Sequence, residues 1–144
     1  MDTVLERAQI DVLRVRADMK GDGPKAAFAF LEAKLPTLKG RRFFGVFRIG
    51  EGGEEYYACV EKLPSEDPAA LGLESGTIPG GKYVRRRIRD WESVIAAGKI
   101  HQVYDEFAHG YALDPDRPSI EFYRSATELH LLLPLAAGSS TPSA

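Results

Sequence analysis

An internal repeat constrains this sequence more than any other feature. Arg117, Phe122, Tyr123 and Arg124 lie over Arg41, Val46, Phe47 and Arg48. Beyond a small loop difference, Glu128, Leu131 and Leu133 lie over Glu55, Ala58 and Val60. One copy of such a unit is too small to bury its own hydrophobic face, so two copies must pack together. In the first copy, Leu13, Val15, Ala17 and Met19 alternate with Arg14, Arg16, Asp18 and Lys20 within Gln9–Lys20, the period of a half-buried strand. Gly21-Asp22-Gly23-Pro24 then punctuates the chain. Asp22 or Gly23 serves as a cap, and Pro24 suits the first turn of a helix with Phe28, Leu31 and Leu35 on its apolar side. Arg41–Ile49 and Glu54–Lys62, joined through Gly50-Glu51-Gly52-Gly53, read as a hairpin.

The second copy follows the same order. Thr77–Arg89 reads as a strand interrupted early by Pro79-Gly80-Gly81. Glu92–Gly110 reads as a helix in one or two pieces, with Gly98 as the break. After the turn at Asp114-Pro115-Asp116-Arg117-Pro118, Ser119–Arg124 and Glu128–Leu135 form the second hairpin. Residues 1–8 are expected as a frayed lead-in. Residues 63–76 are expected as a linker between units 9–62 and 77–135, and the small, polar residues 136–144 as a disordered tail. The expected fold is α+β: two tandem pseudo-symmetric strand–helix–strand–strand units, an antiparallel sheet with helices on one face, and a central ligand groove where the units meet.

Composition removes several function classes. Nineteen Lys and Arg against 21 Asp and Glu leave a net charge of −2, so no overall basic field draws the chain to nucleic acid, and no nucleic-acid partner is expected. The longest apolar run, Leu131-Leu132-Leu133-Pro134-Leu135-Ala136-Ala137, is too short to span a bilayer, and the first residues lack the pattern of a signal peptide. No membrane partner is expected. The single cysteine, Cys59, fits a reducing cytoplasm and reads as a small buried hydrophobe. Phosphate-loop and nucleophile-elbow motifs are absent. His101, Asp105 and His109 share one side of a helix but read as a solvated face, so neither metal nor cofactor is expected. Lys82, Arg85, Arg86, Arg87 and Arg89 form one basic cluster, which strand alternation splits into Arg85, Arg87 and Arg89 on one face and Arg86 on the other. It reads as an edge strand protected by charge.

Three segments carry a family resemblance: Ile78-Pro79-Gly80-Gly81-Lys82-Tyr83, Arg117-Pro118-Ser119-Ile120-Glu121-Phe122-Tyr123 and Leu131-Leu132-Leu133-Pro134-Leu135. In this order and spacing the chain, over about residues 9–135, resembles the GyrI-like family, which also supplies effector-binding domains of AraC-type and MerR-type transcription activators. The resemblance implies a stand-alone small-molecule-binding protein with a groove for bulky, aromatic, often cationic compounds. Some members resemble hydrolases that open strained electrophilic rings of genotoxic compounds. The family name also brings a gyrase-inhibitory role, for which no residue pattern here speaks. Where the family has a glycine shortly after the tyrosine strand, this chain has Arg89-Asp90-Trp91-Glu92.

Glu121 is the candidate centre. On a strand it shares a face with Ser119 and Tyr123, and large apolar residues flank it. Spacing alone favours a solvated carboxylate, or one paired with Arg48, Arg85 or Arg124. The resemblance instead assigns the pocket acid to this position, where it would face a cationic ligand or, in an enzyme, activate water. The matching residue of the first copy is Gly45, so the site is expected in one copy only. Tyr83, Tyr104 and Tyr123 are the leading aromatic candidates for its walls, followed by Trp91, Phe47 and Tyr57. His130 is a further candidate lining residue beside Glu121.

Overall fold

A computed structural model describes residues 2–21, 23–50 and 53–136. Expectations for Asp22, for the hairpin tip at Glu51-Gly52 and for the tail beyond Ala136 lie outside the described residues. The chain divides into two units. One is the segment Gln9–Pro79; the other joins the residues up to Ala8 to the chain from Gly80 onward. Every strand pairing within them is antiparallel, and the class is the expected α+β.

The Gln9–Pro79 unit holds β2 (Ile10–Arg16), α1 (Gly23–Lys34), β3 (Phe43–Gly50), β4 (Gly53–Glu61), α2 (Pro68–Leu71) and β5 (Glu74–Ile78). Its strands run in the order β3-β4-β2-β5. Helix α1 sets Ala27 and Leu31 against Leu13 of β2 and Tyr56, Ala58 and Val60 of β4, and this buried cluster is the unit's core. Burying a leucine as completely as Leu13 or Leu31 contributes about 1.5–3 kcal/mol. Cys59 points to the opposite face from Ala58 and is buried, which pushes its thiol up to about 12 and leaves it inert.

The other unit holds β1 (Asp2–Arg7), β6 (Gly81–Arg89), α3 (Trp91–Ala96), α4 (Ile100–His109), β7 (Ser119–Tyr123) and β8 (Glu128–Pro134), with strand order β1-β6-β8-β7. Val84 of β6 and Leu129, Leu131 and Leu133 of β8 meet Phe107 of α4 on one face, with Trp91, Ile100, Val103 and Tyr104 packed around them. Each unit therefore carries its helices on one face of an antiparallel sheet. The helix expected over Glu92–Gly110 is two helices, broken at Gly98, whose φ of 70° is open to glycine without strain.

Three segments differ from expectation. Residues 1–8 are no frayed lead-in: Asp2–Arg7 is a strand paired with β6 along its length. Its anchors are distant in sequence, with Arg86 Nε and NH2 donating to Asp2 at 2.8 and 3.0 Å and the Tyr111 hydroxyl donating at 2.6 Å. The 63–76 stretch is no structureless linker. Asp67 caps α2 by accepting from the Ala69 amide, Pro68 opens its first turn and Gly72 closes it at φ 71°, after which β5 pairs with β2. With β1 on its other side from β8, β6 is an interior strand, so its arginines protect no edge.

Candidate functional site

The two hairpins share one register. Glu121 lies opposite Leu131 on β7 and β8, and Gly45 lies opposite Ala58 on β3 and β4. Because Leu131 belongs to the helix-covered core, its partner Glu121 is on the helix side of its own sheet, as is Tyr123 opposite Leu129. Tyr104 descends from α4 onto this spot. Its hydroxyl donates to Glu121 Oε2 at 2.9 Å, and the Tyr123 hydroxyl donates to Glu121 Oε1 at 2.9 Å. One carboxylate thus has a phenol on each oxygen.

Electrostatics follow from that geometry. Burial pushes the Tyr104 hydroxyl well above the usual tyrosine range, and the charge and hydrogen bond of Glu121 push it further. Tyr104 therefore stays protonated and remains a donor at any working pH. Trp91, at the start of α3, stands edge-on to Tyr123 with ring centres 5.3 Å apart, and its indole N–H donates to the Ser125 carbonyl at 3.1 Å. Ser125 Oγ in turn accepts from the Thr127 and Glu128 amides, so the β7–β8 turn holds the indole in place. Trp91, Tyr104, Glu121 and Tyr123 are brought together within one unit.

The remaining candidates lie elsewhere. Tyr83 is on the face of β6 opposite to Val84 and fully buried, with the Arg117 guanidinium 4.9 Å above its ring. His130 is opposite Phe122, on the face away from Glu121. Its ring contacts Phe122 at 5.7 Å, and Nε2 lies 2.6 Å from Glu128 Oε2. The expectation that His130 stands beside Glu121 is not met, because Glu121 and Phe122 are successive residues on one strand and face opposite ways. In the Gln9–Pro79 unit, Phe47 packs on the helix-side core. Tyr57 is on the other face, under the Arg14 guanidinium at 4.1 Å.

Sequence reasoning passed over two arginines that frame the hairpins. Arg117 donates to the backbone carbonyls of Leu135 at 2.6 Å and Lys82 at 3.2 Å and pairs with Asp114 at 2.9 Å. A Cβ at Gly81 would stand 2.6 Å from its NH1, so only glycine fits there. Arg41, its counterpart in the repeat, donates to the Glu61 carbonyl at 3.1 Å and pairs with Glu66 at 2.6 Å. The repeat alignment of Arg41 with Arg117 is the signal that could have found them.

No protein-family model matches the sequence, and no curated protein matches it. Solved structures do match. An integron cassette protein from the mobile metagenome of Vibrio cholerae aligns over 94% of this chain and 95% of its own, at 17% identity and a TM-score of 0.64. SAV2435 bound to tetraphenylphosphonium aligns over 95% and 94%, at 11% identity and a TM-score of 0.62. A hydrolase from Listeria innocua aligns over 94% and 91%, at 12% identity and a TM-score of 0.60. The fold is GyrI-like. At these identities the likeness is one of architecture, and chemistry must be argued from the side chains.

Proposed function

We propose that this chain binds bulky, aromatic, cationic small molecules, with Glu121 as the acid that selects for charge. The observation that carries the reading is the carboxylate held between the Tyr104 and Tyr123 hydroxyls, each at 2.9 Å. The two donors fix the orientation of the carboxyl group, Tyr104 and Tyr123 bring their rings to it, and Trp91 packs edge-on to Tyr123. A cation placed against such rings gains about 0.5–2 kcal/mol per ring in addition to its attraction to the carboxylate. SAV2435, a protein of this fold, was solved with tetraphenylphosphonium, an aromatic cation, which supports the same ligand class here.

The chain contains a single tryptophan, so fluorescence excited beyond the tyrosine absorption band reports on Trp91 alone. Titration with tetraphenylphosphonium is expected to give a saturable change in that signal. Glu121→Gln, which keeps the shape and removes the charge, is expected to weaken binding by about tenfold or more, or about 1.4 kcal/mol. Equal affinity in the two proteins, with the variant folded by circular dichroism, removes the acid from the reading.

A second reading rests on the same pair of groups. A carboxylate and a phenol in contact can act as base and acid, and one protein of this fold is described as a hydrolase. In a ring opening, Glu121 would accept a proton from the attacking water, and Tyr104 would protonate the carbon released by the broken bond. The raised Tyr104 pKa makes it a reluctant acid, so binding stands first. Incubation with a cyclopropane electrophile, followed by mass spectrometry, separates the two. Product in excess over protein makes the chain an enzyme; a complex without turnover leaves it a binder.

A further inference from the structure

The face of the β1-β6-β8-β7 sheet turned away from α3 and α4 carries a row of arginines that the ligand site does not use. Alternation along β6 puts Arg85, Arg87 and Arg89 on this face, opposite in sense to the core residue Val84. Register continues the face across the sheet: Arg87 lies beside His130, His130 beside Phe122, and Arg89 beside Glu128. Arg124 follows at the end of β7. Arg87, Arg89 and Arg124 are exposed and Arg85 is half-buried. Among the described residues, none of these four side chains makes a hydrogen bond or ion pair within the protein. The one carboxylate among them, Glu128, is taken by His130, and the field of Arg87 and Arg124 helps hold it ionised.

Four guanidiniums on one face repel each other, and in a chain of net charge −2 they are locally out of balance. Because β6 is paired on both sides, neither edge protection nor strand addition explains them. The geometry points to a docking surface for an extended acidic protein segment. Successive arginines on the face repeat every ~6.7 Å, and an extended peptide repeats its same-side residues at the same interval. Carboxylates at every second position would therefore meet Arg87 and Arg89, the exposed pair, in turn, each suited to the guanidinium fork. A single-stranded nucleic acid would need open rings for its bases to stack on. His130 is only 7% exposed and Phe122 is half-buried, so the face offers none.

The test uses the full chain and a fluorescein-labelled peptide of alternating Glu and Ser, followed by anisotropy at low salt. The acidic peptide is expected to bind, a Lys-Ser peptide of equal length is not, and about 0.5 M salt is expected to weaken binding by about tenfold or more. Arg87→Glu with Arg89→Glu is expected to weaken the peptide by at least about tenfold while leaving tetraphenylphosphonium titration unchanged. Should the double reversal lower the melting temperature, Arg87→Gln with Arg89→Gln is expected to weaken the peptide by at least about threefold. Tighter binding of an oligothymidylate than of the acidic peptide overturns the proposal. So does peptide affinity that either folded variant leaves unchanged, or an absence of peptide binding.

Discussion

Gly45 and Glu121 hold the same register position in two copies of one template, and their surroundings differ accordingly. Around Gly45 the chain builds plain core. Ala58 lies opposite, Phe47 stands where Tyr123 stands in the other copy, and α1 is one helix with Ala27 and Leu31 buried. Around Glu121 the positions enlarge and gain hydroxyls, with Leu131 opposite, Tyr123 alongside, and two short helices that place Tyr104 on the acid and Trp91 on Tyr123. The framing arginines differ in the reverse sense. Arg41 and Glu66 are nearly buried, at 2% and 8% side-chain exposure, whereas Arg117 and Asp114 stand at 17% and 25%. One copy is built for stability, and the other gives up regularity for a polar site.

The largest expected effect tests that contrast at the arginines. Arg41→Ala leaves Glu66 as a buried charge without its partner, and should cost about 3–5 kcal/mol in denaturant unfolding. Arg117→Ala loses hydrogen bonds to carbonyls nearer to water, and should cost about 1–3 kcal/mol. Equal costs would break the comparison.

A smaller effect concerns β1, which only the Glu121-bearing unit holds by an N-terminal carboxylate. Hydrogen bonds from Arg86, helped by Tyr111, hold the Asp2 carboxyl below its ordinary value of 3.8 against the opposing effect of burial. A lowered folded pKa contributes stability that is present above the ordinary value and is lost as pH falls through the folded one. Amide protection in β1, corrected for intrinsic exchange, should fall below about pH 4. The pair is partly exposed, so the loss should stay under about 1 kcal/mol. Asp2→Asn should remove that acid-dependent step, and an unchanged profile would sever β1 from this ion pair.

The smallest effect sharpens the comparison at the helix entrances. Both copies enter their helices through a left-handed residue, Gly23 at φ 67° in one and Asp90 at φ 50° in the other. A side chain in that conformation costs about 1–2 kcal/mol, and glycine's greater freedom in the unfolded chain returns about 0.5–1 of it. Asp90→Gly should therefore raise stability by about 0.5 kcal/mol, read as a higher melting temperature. A lower one would mean that the Asp90 side chain has a role beyond its backbone.

Sequence reading reached the hairpins best, because alternation and repeat are local signals. The alignment that put Gly45 under Glu121 is the register the strands adopt. The break at Gly98 was legible for the same reason. Strands β1 and β5 were not, since they are short and their partners lie far along the chain. Tyr104 was a candidate because a tyrosine hydroxyl needs a partner, but its meeting with Glu121 was not legible, as nothing in the spacing says where α4 comes down. Alternation did place His130, through its partner Phe122, away from Glu121, once the register was known.

The strands that each copy lends outward also govern the order of assembly. β1 precedes β2 yet pairs with β6, and β5 precedes β6 yet pairs with β2. On the ribosome, the Gln9–Pro79 unit is contiguous and can close as soon as it emerges. Asp2 must wait for Arg86, 84 residues later. At roughly 5–20 residues per second that is several seconds during which β1 has no partner. The copy that bears Glu121 is thus begun first and completed last.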